Sequence, residues 1–452
     1  MAPKKSNRSL VPLSHIPQVL REIKRIVKNQ PEVQRGSLIA VVRSIHKKRT
    51  RILSAVKRGH TPCYILDTEE LERSIDAFKK AFEKNLPGAE TFYAVKTNHH
   101  PLILSCAVQN GFGLDVSSCR ELTMGLKAGA KKMAYSSPGK TTENLSFALK
   151  YRKKVTINLD SFGELKRLGA LSKKISGSVR AGVRITTPHA LMGSKFGIDI
   201  KDLALFWHEA KKYPNISLEG IQFHSSFNKD AGAYEEIIKV LSAYLKKSFT
   251  KKELSEIRFI DIGGGFRPYN SEGYYPWNTP AGSIIQFAYD SLGKEAPFTD
   301  PYLLLESVPI EEYARGIATA IKKYLDPLVS CTYYLEPGRI ISNNAMHVVL
   351  RVADVKSKDA VIMDGGVNAI GWERFSYDYF PVINLSRMSE KEQPCTLYGS
   401  LCLQGEMDLW GYSYYGSMLA EGDILVVPYQ GCLTYSLAQN FIKDIPPVYI
   451  MK

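Results

Sequence analysis

The sequence predicts a (β/α)8 barrel, followed by a mostly β domain and preceded by a basic helical arm. Three observations predict this. From about residue 62, short apolar strands alternate with amphipathic helices, the pattern of parallel βαβ units. After about residue 345, strands follow one another without long helices between them. The charge is also segregated: the net charge is +15, of which residues 1–60 carry +13 and the other 392 residues only +2. The implied division is an arm over 1–58, a barrel over 59–345 and a β domain over 346–452.

The arm reads as two helices. Apolar residues at 16, 19, 20, 23, 26 and 27 follow helical spacing. The stretch from Leu38 to Val56 repeats that pattern and contains Lys47, Lys48, Arg49 and Arg51. It lacks the apolar core and cleavage site of a secretory signal. Its acid-poor, basic character leaves two readings open, an organelle transit peptide and a cationic helical cap on the body. Either way, the body is expected to fold without residues 1–58.

The barrel elements follow in order. Glu70 to Lys84 is amphipathic, with Leu71, Ile75, Phe78 and Phe82 on one face. Apolar strands are expected at 91–95, 112–116, 133–136, 155–159, 179–185, 218–223 and 257–262. Helices at 101–109, 120–128, 202–212 and 233–246 separate several of them. Residues 266–328 begin irregularly, with Tyr269, Tyr274, Tyr275, Pro276, Trp277 and Pro280 crowded together. Strands at 347–355, 360–363, 396–398 and 423–429 then mark the β domain.

Composition removes several classes. Hydrophobic residues at 44% and charged residues at 23% describe a globular chain rather than a disordered or fibrous one. The apolar runs are too short for a membrane-spanning helix. Seven scattered cysteines without a CxxC pair disfavour a disulfide framework or a cysteine zinc site, and no metal is expected. A reducing, cytoplasmic setting fits that cysteine usage. The nearly neutral body excludes a basic nucleic-acid-binding fold.

Function in such a barrel sits at the C-terminal ends of the strands. Lys96 follows the apolar run Phe92-Tyr93-Ala94-Val95. That context predicts a buried amine able to lose its proton and form a Schiff base. His224 ends another strand. Asp261-Ile262-Gly263-Gly264-Gly265-Phe266 places a glycine run after a third, and its backbone N–H groups suit a phosphate. Glu336-Pro337-Gly338-Arg339 pairs a carboxylate with a Gly-Arg that also suits phosphate. Each signal is weak alone, but their order and shared placement are specific.

With "PCYILDTEEL", "FYAVKTN", "GFGLDVSSCREL", "SSPGKT", "NLDSFGELKRL", "SKFGI", "DIGGGF", "LEPGR", "MDGG" and "GSLCLQGEMD" in this order, the chain resembles the fold-type III pyridoxal-phosphate decarboxylases. That family includes diaminopimelate, ornithine and arginine decarboxylases, and the resemblance covers roughly residues 60–450. It implies an alanine-racemase-like barrel with a C-terminal β-sandwich or barrel, and pyridoxal 5′-phosphate as cofactor. It implies that Lys96 carries the cofactor as a Schiff base, His224 stacks on the ring and Glu336 pairs with the pyridine nitrogen. Gly263, Gly264, Gly265, Gly338 and Arg339 would hold the phosphate, with Asp115 and Ser118 close to the lysine. Cys402 would return a proton after CO2 leaves, at the site of the other subunit in a homodimer with shared active sites.

Departures from the family pattern bear on the substrate. Leu403 stands where an acid commonly reads the far end of a diamino substrate. Ser226-Phe227 replaces a Gly-Ser. Leu433 replaces a phosphate-binding tyrosine, with Tyr435 as the nearest substitute. The implied activity is decarboxylation of an amino acid or an acylated or carrier-linked derivative, as in siderophore or natural-product biosynthesis. The Tyr274–Trp277 region would enlarge the pocket or simply pack. An acidic carrier protein would suit the basic arm. A pyridoxal-phosphate racemase and an inactive regulatory relative are the alternatives, and Glu336 and Cys402 favour the decarboxylase.

Overall fold

The structure, a computed structural model, describes residues 16–28, 35–57, 60–186, 195–269, 273–275, 280–294, 303–304, 307–371, 378–404 and 407–451. Helices α1 (Ile16–Lys28) and α2 (Arg35–Lys57) come first, then strand β1 (Cys63–Asp67) and helix α3 (Thr68–Asn85). The Asp67 carboxylate caps α3 by accepting the Glu70 amide at 3.1 Å. On α3, Leu71, Ile75, Phe78 and Phe82 are buried, one face of a helix as their spacing predicts.

The barrel strands are β2 (Glu90–Ala94), β3 (Gly113–Val116), β4 (Met133–Ser136), β5 (Val155–Leu159), β6 (Val179–Arg184), β7 (Ile216–Gln222) and β8 (Phe259–Asp261). After two short strands, β9 (Gly273–Tyr274) and β10 (Leu303–Leu304), β11 (Thr332–Leu335) completes the set. These strands close in the order β11-β2-β3-β4-β5-β6-β7-β8, every neighbouring pair parallel. β3, β4, β5 and β8 are buried at every position, because helices cover the outside and side chains fill the inside. All strands run the same way, so their C-terminal ends share one face of the barrel.

The second sheet uses β12 (Met346–Ser357), β13 (Ala360–Met363), β15 (Ile383–Asn384), β16 (Glu392–Tyr398), β17 (Leu409–Tyr415), β18 (Ile424–Val427) and β19 (Val448–Met451), with β14 (Asp378–Tyr379) lying apart. Its order is β13-β16-β17-β15-β18-β12-β1-β19, and β13 also pairs with β12, which closes part of it into a ring. β1 pairs antiparallel with β12 and parallel with β19. This strand therefore joins the second sheet, although it lies in the segment expected to be barrel. A five-residue apolar run reads alike for either sheet, and only long-range pairing decides. β9, β10 and β14 form a small sheet that ties the region after β8 to the β domain.

The arm departs most from expectation. Val42, Ile45, Ile52, Ala55 and Val56 of α2 are buried in a core shared with Ile65, Val349, Ile383 and Val426. Its cations are engaged as well. Lys48 pairs with Asp67 at 2.7 Å, Arg51 with Glu69 at 2.9 Å and Arg43 with Glu390 at 2.7 Å. Removing α2 would therefore expose an apolar face of the second sheet. α1 instead leaves Val19 and Leu20 exposed. No helix among the described residues is long and apolar enough to cross a membrane.

Candidate active site

Barrel closure brings the expected residues to one mouth. Lys96 sits on a short 3-10 turn (Val95–Thr97) just after β2, a turn that takes in Val95, the expected last residue of the strand. His224 follows β7, Gly263–Gly265 follow β8 and Glu336 follows β11. Lys96, His224, Gly265, Glu336, Gly338 and Arg339 line a common pocket there.

Beneath the pocket lies a cluster of buried carboxyls: Asp115, Asp261 and Glu336. Burial raises the pKa of each, and they cannot all ionise in one apolar site. For Asp115 and Asp261, burial and then the charge of Glu336 push the pKa well above the carboxylate range. Burial acts on Glu336 too, but contacts from His224 and Asp261 outweigh it and hold its pKa below the usual value. Of the three, Glu336 is the one whose surroundings favour the ionised form. Gln222 Nε2 faces both its oxygens at 3.4 Å.

His224 is held below its usual pKa, chiefly by burial and against the pull of Glu336. The Gly264 amide donates to His224 Nδ1 at 3.1 Å. In this arrangement that nitrogen accepts from the amide. The 3.7 Å separation of Nδ1 from Glu336 Oε2 is an electrostatic contact beyond hydrogen-bond reach.

Several expected positions differ. The Lys96 side chain is exposed at the mouth rather than buried, because the 3-10 turn carries it off the strand end. The glycine run serves close packing. A Cβ on Gly264 would lie 2.2 Å from the Glu336 carbonyl oxygen, and one on Gly265 1.9 Å from that of Ser225. Gly265 lines the pocket, whereas Gly263 and Gly264 are absent from its lining. Ser118 caps helix Cys119–Lys127 by accepting the Glu121 amide at 3.1 Å, and Asp115 is buried near Lys96 and Glu336; neither lines the pocket.

Tyr435 is not brought to the site. Its ring packs 5.5 Å from Tyr64, 5.1 Å from His99 and 5.5 Å from His100, while Leu433 faces the pocket. Leu433 has a φ of +65°, and the chain turns there so that Tyr435 points into the packed interior. Tyr275 is likewise structural, buried beside Tyr379, and Trp277 lies outside the described residues.

Cys402 is exposed and absent from the pocket of its own chain. Its turn is fixed by Asp408, whose carboxylate accepts the amides of Leu401 and Val367, both at 2.7 Å. Leu403 is half-buried against its own chain's core. The pocket also contains Thr97, Ser226, Phe227, Arg267 and Cys432, which the sequence did not mark as binding residues. For Arg267 a signal existed: a cation two residues beyond the glycine run.

The donor set fits pyridoxal phosphate. It offers a primary amine for an aldehyde, a buried carboxylate for a ring nitrogen, an imidazole for a ring face and a guanidinium for phosphate.

Comparison with known proteins agrees. The profile described as "Pyridoxal-dependent decarboxylase, pyridoxal binding domain" matches residues 69–343. A diaminopimelate decarboxylase of Aquifex aeolicus is 26% identical over 398 residues, covering 84% of each chain. Among solved structures, diaminopimelate decarboxylase from M. jannaschii in complex with L-lysine superposes with a TM-score of 0.73 at 20% identity, covering 88% of this chain and 89% of that one. Lysine/ornithine decarboxylase of Vibrio vulnificus, complexed with putrescine, gives 0.70 at 19% identity, covering 90% and 98%. These two structures share the fold.

Proposed function

The chain belongs to the pyridoxal-dependent decarboxylase family, and from that premise we propose which residues act and on what substrate. The activity is pyridoxal-phosphate-dependent amino-acid decarboxylation. Bound pyridoxal phosphate supplies an electron sink for the pair left behind when a carboxylate departs as CO2. Lys96 Nζ holds the cofactor covalently at the mouth. Glu336, whose surroundings favour the ionised form, keeps a proton on the pyridine nitrogen. His224, its pKa held below the usual value, stacks on the ring. Arg339, Gly265 and Gly338 hold the phosphate, and Gly263 and Gly264 shape the loop that carries Gly265. Cys402 of the partner subunit donates the proton that replaces CO2, which requires a homodimer.

One observation carries this reading: Lys96, His224 and Glu336 line one pocket at the barrel mouth, with Glu336 held below the usual carboxylate pKa by His224 and Asp261. A charged carboxylate at the pyridine nitrogen favours a full electron sink, which suits a decarboxylase better than a racemase. The experiment is borohydride reduction of the cofactor-loaded protein followed by peptide mapping. A pyridoxyl mark on Lys96 is expected, and a mark confined to another lysine would refute the assignment.

For the substrate, we propose an amino acid whose far end is acylated or carrier-linked. Leu403 offers no partner to a distal ammonium, a contact worth about 1.5–3 kcal/mol when charge-assisted. An acidic carrier is compatible with Arg21, Lys24 and Lys28 on exposed α1, whereas Arg43, Lys48 and Arg51 of α2 are already paired. A natural-product or siderophore setting follows from such a substrate. The relatives' name supports free diaminopimelate as a second reading. Efficient turnover of a simple diamino acid, with kcat/KM at or above about 10⁴ M⁻¹s⁻¹, would establish that second reading instead.

A further inference from the structure

Two neighbouring helices leave large apolar side chains in solvent. α1 exposes Val19 and Leu20. The helix Pro280–Ser291 packs beside α1. It exposes Ile284 and 74% of Phe287, and Leu292, 68% exposed, follows its end. This second helix has an inner face, because Ala281 is buried and Ile285 half-buried. Ile284 and Phe287, three residues apart, share the outer one. Single exposed apolar residues are ordinary, but several on two adjoining helices mark an interaction surface.

α1 adds charge to that surface. Its helical turn groups Val19, Leu20 and Ile23 in one arc and sets Lys24 and, one turn later, Lys28 on one flank. Glu22 is the one acid of α1 and is bonded to Arg25 at 2.8 Å. Arg21, Lys24 and Lys28 are exposed and form no ion pair among the described residues. The exposed Lys294 lies two residues beyond Leu292, and Asp290 is the one acid of the second helix.

Charge and apolar area together select the occupant. An acidic protein held by charge alone would satisfy the lysines and leave Phe287 and Leu292 in water. A lipid surface with anionic headgroups meets both needs. Its headgroups attract the cations, and the boundary with the acyl chains receives the apolar side chains. Lysine stems can lie along that boundary while their ammonium groups stay in water.

We propose that α1 and the helix Pro280–Ser291 form a docking face for an anionic membrane surface, on which the protein lies without spanning it. The proposal is independent of the decarboxylase reading, because neither helix contributes a residue to the pocket at the barrel mouth.

The experiment floats the full-length, cofactor-loaded protein with vesicles of phosphatidylcholine, with and without phosphatidylserine, at low and high salt. Wild type is compared with the double variants Leu20→Ser with Phe287→Ser, and Lys24→Gln with Lys28→Gln. Wild type should bind phosphatidylserine vesicles at least tenfold more tightly than neutral ones, and salt should weaken that binding. One lysine near an anionic lipid surface is worth about fivefold in affinity, so the lysine variant should lose tenfold or more. The apolar variant should lose tenfold or more as well, because it removes the side chains that enter the lipid. Both variants should keep wild-type Tm and cofactor uptake, since the replaced side chains face solvent.

Wild type that stays free of phosphatidylserine vesicles, or binds neutral vesicles equally well, overturns the inference. So does wild-type binding by the apolar variant, because charge alone would then hold the vesicle, as it would hold an acidic protein. A lowered Tm in the apolar variant also overturns it, by showing that those side chains pack within the chain.

Discussion

Glu336 is the residue on which the proposed chemistry depends most, since its pKa is held below the carboxylate range by His224 and Asp261 while burial pushes those of Asp115 and Asp261 above it. Glu336→Gln keeps the shape and removes the charge. Its kcat is expected to fall by about 10²–10⁴-fold, while thermal stability holds or rises because a buried charge is gone. Steady-state kinetics beside a thermal melt checks both, and a variant that melts early with kcat intact would show that Glu336 is structural. The placement of Lys96 and His224 was legible in the sequence because each follows an apolar strand, and strand ends of a parallel barrel must converge; Glu336 was legible only through its motif, since the strand before it, β11, was not among those expected. Tyr435, Ser118 and the buried state expected of Lys96 were not, because turn geometry and capping aim those side chains. The positive φ at Leu433 and the helix cap at Ser118 arise from local contacts that no spacing rule contains.

Among elements, α2 ties the arm to the second sheet. Ile45 is fully buried against the second sheet, and Ile45→Ala is expected to cost about 2–5 kcal/mol in chemical denaturation. The Lys48–Asp67 pair fastens α2 to the cap of α3 at 2.7 Å. Burial raises the Asp67 pKa, but the Lys48 bond and charge and the Glu70 amide outweigh it, so the folded value lies below the usual one. A depressed carboxylate pKa stabilises the fold above the unfolded value of about 3.9, and that stability is lost as pH falls through the folded pKa. Lys48→Ala should therefore destabilise near neutral pH, toward the lower end of about 3–5 kcal/mol because Lys48 is partly exposed. The difference from wild type should shrink as pH drops below about 3.9. A gap independent of pH, measured by denaturant melts from pH 3 to 7, would contradict it. Helical periodicity made α2 legible as a helix, but its basic composition hid the buried face. β1 was legible as a strand and not as a member of the second sheet, since its partners β12 and β19 lie hundreds of residues away.

For the whole molecule, the exposed Cys402 and its absence from the pocket of its own chain set the expectation of shared sites. Cys402→Ala should slow turnover or divert it to side products while cofactor uptake is unchanged. Mixed dimers of Lys96→Ala and Cys402→Ala subunits should recover part of the activity, because one of the two shared sites regains both residues. No recovery in verified heterodimers would refute a composite site. Seven of the eight barrel strands, and four of the eight strands of the second sheet, could be read in advance from strand and helix periodicity. The coupling of arm, β1 and C-terminal strand could not, because it rests on pairing across the full length of the chain.

The most direct measurement follows CO2 release by the full-length, cofactor-loaded protein across a panel of free and end-blocked amino acids, beside Lys96→Ala. Release from at least one panel member, lost in Lys96→Ala, is the expected result. Cofactor-loaded protein that releases no CO2 from any of them, or equal release by Lys96→Ala, would contradict a decarboxylase built on this barrel mouth.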